Sequence, residues 1–110
     1  FSIEIVEPLA ERAAATLQKT GYSVHLRTGD GYRGWPEHAP YDAVIVTAAP
    51  DHVPQPLLDQ LRDGGRMIVP VGTWSQDLVL FEKKAEGLTE RRVLPVRFVP
   101  MTGEAQQRRR

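Results

Sequence analysis

Residues 42–48, Asp-Ala-Val-Ile-Val-Thr-Ala, form a nearly unbroken apolar run. A strand with one wet face alternates apolar and polar side chains. A run that does not alternate is the pattern of a parallel strand covered on both faces. Parallel strands cannot be joined by a tight turn, so helices must cross between them. The rest of the chain is legible around that requirement.

Phe1–Val6 is apolar except for Ser2 and Glu4 and reads as a short buried strand. Pro8 suits a first helical position, where its missing N–H would have had no partner. Leu9, Ala13 and Leu17 then share one face, with Ala10 and Ala14 beside them, and Gly21 is a stop. Tyr22, Val24, Leu26 and Thr28 alternate with Ser23, His25 and Arg27, which predicts a strand with a wetter face. Residues 29–41 read as loop. Pro54–Leu61 reads as a short helix ended by Gly64-Gly65. Met67–Val71 is the next strand, and Pro70 near its end argues for a bulge or an edge. Leu78–Lys83 and Glu90–Val99 are joined by Lys84-Ala85-Glu86-Gly87, too short for a crossover helix. They must pair as an antiparallel hairpin.

The order β-α-β-β-α-β-β-β predicts an α/β fold, a doubly wound parallel sheet closed by an antiparallel hairpin. That closing hairpin is similar to the habit of class I S-adenosylmethionine-dependent methyltransferases. A chain of 110 residues holds one small domain, and 41% hydrophobic residues can supply its core. Lys+Arg and Asp+Glu balance at 14 each, so no general attraction to nucleic acid or to an anionic membrane is expected. Arg108-Arg109-Arg110 is a solvated end or a docking patch. The absence of cysteine removes disulfides, thiolate nucleophiles and cysteine-ligated zinc. No apolar run approaches the ~20 residues of a membrane helix, and no signal peptide is visible. The chain opens without methionine in the middle of a strand pattern, so further residues of the fold are expected upstream of Phe1.

In open α/β sheets, ligands bind beyond the carboxyl ends of the strands. Glu4, near one such end, can accept two hydrogen bonds from adjacent ribose hydroxyls, or can serve as a charge partner for a neighbouring element. Glu7 fits a favourable charge at the positive end of the helix. Gly29-Asp30-Gly31 follows the next strand; its glycines permit a sharp turn and the approach of a flat ring. Asp30 can accept a bond from an exocyclic amine, although turns use such residues routinely. Thr47-Ala48-Ala49-Pro50 ends the third parallel strand with small residues that leave room for a ligand or pack tightly. His25, His38 and His52 lack metal-ligand spacing and read as structural or solvated. Trp35 and Trp74 fall in loops, each able to stack on a ligand or to cover an apolar patch. There is no Gly-x-Gly-x-x-Gly, Walker loop, Gly-x-Ser-x-Gly or HExxH.

Four stretches carry a resemblance: SIEIVEPLAERA (2–13), GDGYRGWPEHAPYDAVIVTAAP (29–50), VPQPLLDQLRDGGRMIVPVG (53–72) and PVRFVPMTGE (95–104). Together they resemble the C-terminal part of the protein-L-isoaspartate(D-aspartate) O-methyltransferase family, and the resemblance spans essentially the whole chain. It implies a Rossmann-like class I methyltransferase sheet that is incomplete, its first strand and glycine-rich cofactor loop being absent from these residues. Residues 1–110 are then the C-terminal portion of a single methyltransferase domain. In the family's sheet the absent strand lies between Phe1–Val6 and Asp42–Ala48. Those two strands would need another partner, and self-association through them is an expected possibility.

Position by position, the resemblance implies that Glu4 and Ile5 bind the ribose of S-adenosyl-L-methionine, and that Asp30 and Gly31 bind its adenine end. Thr102, and with less support Gln107, would return to the cofactor pocket; Val99 and Pro100 would lie beside the substrate backbone. The active-site hydroxyl of the family has no counterpart here, so no catalytic residue is assigned. The implied reaction is methyl transfer to the α-carboxylate of L-isoaspartyl residues in damaged proteins, in the cytoplasm, with isoaspartyl-containing proteins and peptides as partners. The ester then collapses to a succinimide. The isolated chain is expected to be inactive. Two alternatives stand beside this reading: another class I methyltransferase acting on RNA or a small molecule, and a non-catalytic degenerate module.

Overall fold

A computed structural model describes residues 1–107, which fall into two compact units divided after Gly31. In the first, a βαβ unit, strand β1 (Ser2–Glu4) is followed by helix α1 (Glu7–Thr20) and strand β2 (Leu26–Thr28). The two strands pair in parallel, Ser2 with Leu26 and Glu4 with Thr28. Val6 is the N-cap of α1, Pro8 lies in its first turn, and Glu7 and Lys19 are placed favourably for the helix dipole. At the other end Gly21 takes the left-handed conformation, φ 83°. The Gly21 N–H reaches the Gln18 carbonyl and the Tyr22 N–H reaches that of Leu17, a Schellman closure.

Two expectations change here. The strands are shorter than Phe1–Val6 and Tyr22–Thr28, because the N-cap claims Val6 while the Schellman closure claims Tyr22, and β1 offers only three residues to pair. The helix face is also not covered: of α1 only Ala10 is buried, and Leu9 stays 46% exposed. Six paired strand residues are too small a floor for a 14-residue helix.

The second unit carries two short 3₁₀ turns (Gly31–Arg33, opening at the unit boundary, and Pro36–His38), then strand β3 (Tyr41–Ile45) and helix α2 (Gln55–Asp59). Strands β4 (Leu61–Gly72), β5 (Gln76–Lys84) and β6 (Gly87–Val96) and helix α3 (Glu104–Gln107) follow. The sheet order is β3-β4-β5-β6: β3 is parallel to β4, and the other pairs are antiparallel. The hairpin expected from Lys84–Gly87 is present, with Lys84 opposite Gly87. β5 contains the whole of Leu78–Lys83 and runs on at both ends, whereas β6 is displaced from Glu90–Val99: it starts at Gly87 and stops at Val96, where residues 97–103 leave the ladder.

Gly64-Gly65 does not end α2, which stops at Asp59; both glycines lie within β4, in a bulge where the register to β3 shifts. Gly64 has φ +83°, and a Cβ on Gly65 would meet the backbone oxygens of Arg62 and Tyr41 at 2.8 and 3.0 Å. Pro70 is an inner-strand residue opposite Leu78. The ladder from β4 to β3 ends at Ile68, so the ring nitrogen of Pro70, two residues on and facing the same way, interrupts no bond to β3.

One face of this sheet packs on α2. Leu57 and Leu58 of the helix meet Leu61, Met67 and Val69 of β4 and Val79 and Phe81 of β5, with Val44, Val46, Val53 and Val71 around them. The period of two in β4, Gly65, Met67 and Val69 inward, puts every bulky inward residue on this core. Among the described residues the run at 42–48, expected to be covered on both faces, is covered on one: β3 ends at Ile45, which is 75% exposed. Within its sheet β3 has β4 on one side only, and α2 covers a single face.

Candidate functional site

In the first unit the carboxyl ends of two parallel strands meet. Glu4 is the last residue of β1, and its carbonyl accepts the Gly29 N–H at 2.9 Å. That bond holds the Gly29-Asp30-Gly31 turn beside Glu4, so Glu4, Ile5, Asp30 and Gly31 gather at one end of the small sheet. Glu4 Oε2 also accepts the N–H of Ile5 at 2.9 Å. A carboxylate has roughly four acceptor positions, so this single bond fixes its orientation and leaves capacity for two hydroxyl donors. Asp30 and Gly31 are half-buried. Neither Gly29 nor Gly31 has a positive φ, so the turn does not need glycine for its backbone, a correction to the expectation of a sharp turn. Space is what Gly31 supplies: a Cβ there would meet nothing within 4 Å. The cluster passes a simple test of fit for a nucleoside, with an oriented carboxylate, an acidic turn and an open surface next to it.

In the second unit Val99, Pro100 and Thr102 lie on the segment after β6. The Ala49 N–H donates to the Val99 carbonyl at 2.7 Å, and the Met101 N–H donates to the Ala49 carbonyl at 2.9 Å. This parallel bridge of Pro100 onto Ala49 docks the segment just past the end of β3. Met101 and Ala105 bury against Tyr32, with Val46 and Ala48 alongside. Arg33 Nε pairs with Glu104 Oε2 at 2.6 Å. Of the small residues that follow β3, Ala48 and Ala49 have the closing segment packed against them. Val99 remains 68% exposed, and Pro100 and Thr102 are exposed as well. Each group of expected residues thus lies at the carboxyl end of a parallel strand, one group in each unit. Gln107 is the last residue of α3, and its side chain and Arg108–Arg110 lie outside the described residues.

Two arrangements were not anticipated. Asp51 Oδ1 lies 2.5 Å from His52 Nδ1, and His52 Nε2 lies 3.0 Å from the Tyr32 hydroxyl. A carboxylate accepts from Nδ1–H, which leaves Nε2 to accept the tyrosine O–H. His52, expected to be structural or solvated, sits in a specific chain of bonds. The second arrangement uses glutamine. Gln76, 7% exposed, accepts the Phe98 N–H at 2.7 Å and donates to the Phe98 carbonyl at 3.1 Å and the Thr73 carbonyl at 3.3 Å. Gln60 does the same for the loop at 33–35, accepting the Trp35 N–H at 2.9 Å and donating to the Arg33 carbonyl at 2.8 Å. No local sequence signal marks these side chains; a polar residue at an inward strand position, as Gln76 is, is the nearest to one. Trp35 meets His38 edge-on. Trp74 covers no patch: it is 97% exposed. His25 stacks on Phe1, ring centroids 4.8 Å apart.

A family model described as protein-L-isoaspartate(D-aspartate) O-methyltransferase matches residues 1–106. The protein-L-isoaspartate O-methyltransferase of Gloeobacter violaceus is 53% identical over 110 residues, covering 97% of this chain and 54% of that protein. One from Syntrophobacter fumaroxidans is 59% identical over 107 residues, covering 94% and 43%. The chain spans about half the length of the curated relatives it matches. A solved protein-L-isoaspartate O-methyltransferase superposes with TM-score 0.87 at 36% identity, over 94% of this chain and 34% of that one. A Plasmodium falciparum protein described under the same name, solved with S-adenosyl-L-homocysteine, shares the fold with TM-score 0.79 at 22% identity, over 91% of this chain and 50% of that one. From its first strand to its closing segment, the chain belongs to the protein-L-isoaspartate(D-aspartate) O-methyltransferase family.

Proposed function

We propose that residues 1–110 are the C-terminal portion of a single methyltransferase domain that acts on L-isoaspartyl residues of damaged proteins, with S-adenosyl-L-methionine as methyl donor. The observation that carries the reading is the Glu4–Gly29 bond, which sets an oriented carboxylate beside the Gly-Asp-Gly turn at the ends of parallel strands. Glu4, with Ile5, is assigned to the ribose hydroxyls; Asp30 and Gly31 are assigned to the adenine end. Thr102 is assigned to the cofactor, and Val99 and Pro100 to the substrate backbone. When bound, S-adenosyl-L-methionine supplies a sulfonium methyl group whose leaving sulfur needs no proton.

The chemistry asks little else of the side chains. The α-carboxylate of the substrate is ionised at neutral pH and attacks without a general base. The residues named above therefore bind, orient and exclude water rather than move protons. The docked closing segment suits this role, because main-chain bonds to Ala49 fix Val99 and Pro100. The reading carries a cytoplasmic setting and isoaspartyl-containing proteins and peptides as partners. For residues 1–110 alone it allows self-association through the outer edges of β1 and β3, which sedimentation would detect. Among the described residues no helix is long and apolar enough to cross a membrane.

The test is methyl transfer from labelled S-adenosyl-L-methionine to an isoaspartyl peptide and to its aspartyl counterpart by the full-length protein. Transfer to the isoaspartyl peptide alone is expected; equal transfer to both, or to neither, overturns the reading. Residues 1–110 by themselves are expected to give no transfer and little cofactor affinity, since the glycine-rich loop is not among them. Calorimetry showing tight cofactor binding to this stretch alone would contradict that expectation.

A further inference from the structure

A cleft of about 940 Å³ opens in the second unit between the loop at 73–75 and the docked closing segment. Its walls include Trp74, Thr73, Gln76, His52, Gln55 and Pro100. Three features show that it is a built recess. The closing-segment lip is held at two points, Phe98 by the Gln76 amide and Val99–Met101 by the main chain of Ala49. The opposite floor is held by the Asp51–His52–Tyr32 chain of bonds. Finally, Trp74 stands at the rim 97% exposed, with its loop pinned by the bond from Gln76 to the Thr73 carbonyl.

Among the described residues nothing packs on the Trp74 indole, which its short pinned loop holds at the rim. Its placement over a recess with both apolar and hydrogen-bonding walls matches what an extended peptide requires. Pro100 itself has no N–H, and among the described residues neither the Val99 N–H nor the Pro100 carbonyl meets a hydrogen-bonding partner. An extended chain laid along this lip finds main-chain groups on one side and an aromatic face on the other.

We propose that this cleft is a subsite for the substrate residues flanking the isoaspartyl residue, with Trp74 as its principal contact. The proposal rests on the methyltransferase reading above and extends it from the reacting residue to its neighbours. A large aromatic side chain closing on a peptide commonly accounts for a several-fold share of affinity.

The experiment is a binding measurement on the full-length protein with S-adenosyl-L-homocysteine present, so that turnover does not enter. Probes are a fluorescein-labelled heptapeptide with a central isoaspartyl residue and, as competitor, an unlabelled isoaspartyl tripeptide. Trp74→Ala is expected to raise the heptapeptide Kd about 5- to 10-fold and the tripeptide Kd less than about 2-fold, with Trp74→Phe recovering most of the loss. Trp74 is 97% exposed within the described residues, and equal thermal unfolding of both variants and wild type checks that the fold is kept. An unchanged heptapeptide Kd in Trp74→Ala, or equal losses for both peptides, overturns the subsite and leaves the methyltransferase reading standing. A wild-type protein that binds no isoaspartyl heptapeptide overturns both.

Discussion

Two glutamines do for this chain what extra strands would otherwise do. Gln76 meets both main-chain groups of Phe98 with its own amide, and Gln60 spans Arg33 to Trp35 in the same way. A primary amide reproduces the donor–acceptor pair of a peptide unit, so each side chain replaces a missing rung. Gln76→Leu keeps the volume and removes the bonds, leaving the main-chain groups of half-buried Phe98 unpaired. It is expected to cost about 1–3 kcal/mol in urea unfolding of the full-length protein. Tyr32→Phe removes the bond to His52 and retains the packing on Met101 and Ala105, so a loss of about 1 kcal/mol or more is expected from the same measurement. Gly31 tests the site rather than the fold. With no positive φ and nothing within 4 Å of a Cβ, Gly31→Ala should leave stability within about 0.5 kcal/mol. If adenine lies against it, calorimetry on the full-length protein should show cofactor affinity reduced by about tenfold or more. Unchanged affinity would remove Gly31 from the site.

At the scale of elements, local signals and tertiary ones part company. The hairpin was legible because four residues between two strand patterns allow nothing else. The helix α1 was legible from Pro8 and Gly21, which act within a turn of themselves. The Gly64-Gly65 pair misled because a helix stop and a β-bulge both need glycine, and only the register between Tyr41 and Ala43 on β3 distinguishes them. The Glu4–Gly29 proximity was readable, since parallel strands bring their carboxyl ends together wherever they pair. The Asp51–His52–Tyr32 chain was not, because Tyr32 arrives from twenty residues away. Gly72 gives an element-scale test of the loop that carries Trp74. It has φ +133°, and an added Cβ would fall 2.0 Å from the Ser75 carbonyl oxygen. Gly72→Ala must therefore open the turn between β4 and β5, and a loss of about 2 kcal/mol or more in thermal unfolding is expected. Gly87→Ala, also at positive φ but with nothing near its Cβ, should cost less.

Across the whole molecule the two units differ in what holds them. The second has seven buried hydrophobic residues from α2, β4 and β5 in one cluster, with Met67 and Val69 fully buried. The first has a single buried helix residue, Ala10, above strands of three residues each. Local opening costs least where little apolar surface is returned to water, so the amides of the two units should not exchange together. In residues 1–110 studied alone, hydrogen exchange is expected to leave Met67, Val69, Val79 and Phe81 longest protected. Amides of β1, β2 and α1 should exchange at least tenfold faster, since a difference of 1.4 kcal/mol in opening already gives that factor. In the full-length protein the gap should narrow if other residues cover Leu9, Ile5 and Val6, which are all exposed here. Equal protection across both units of residues 1–110 would mean that the first unit draws its stability from contacts other than its own core. A gap that persists unchanged at full length would mean that the exposed face of α1 is a solvent face after all.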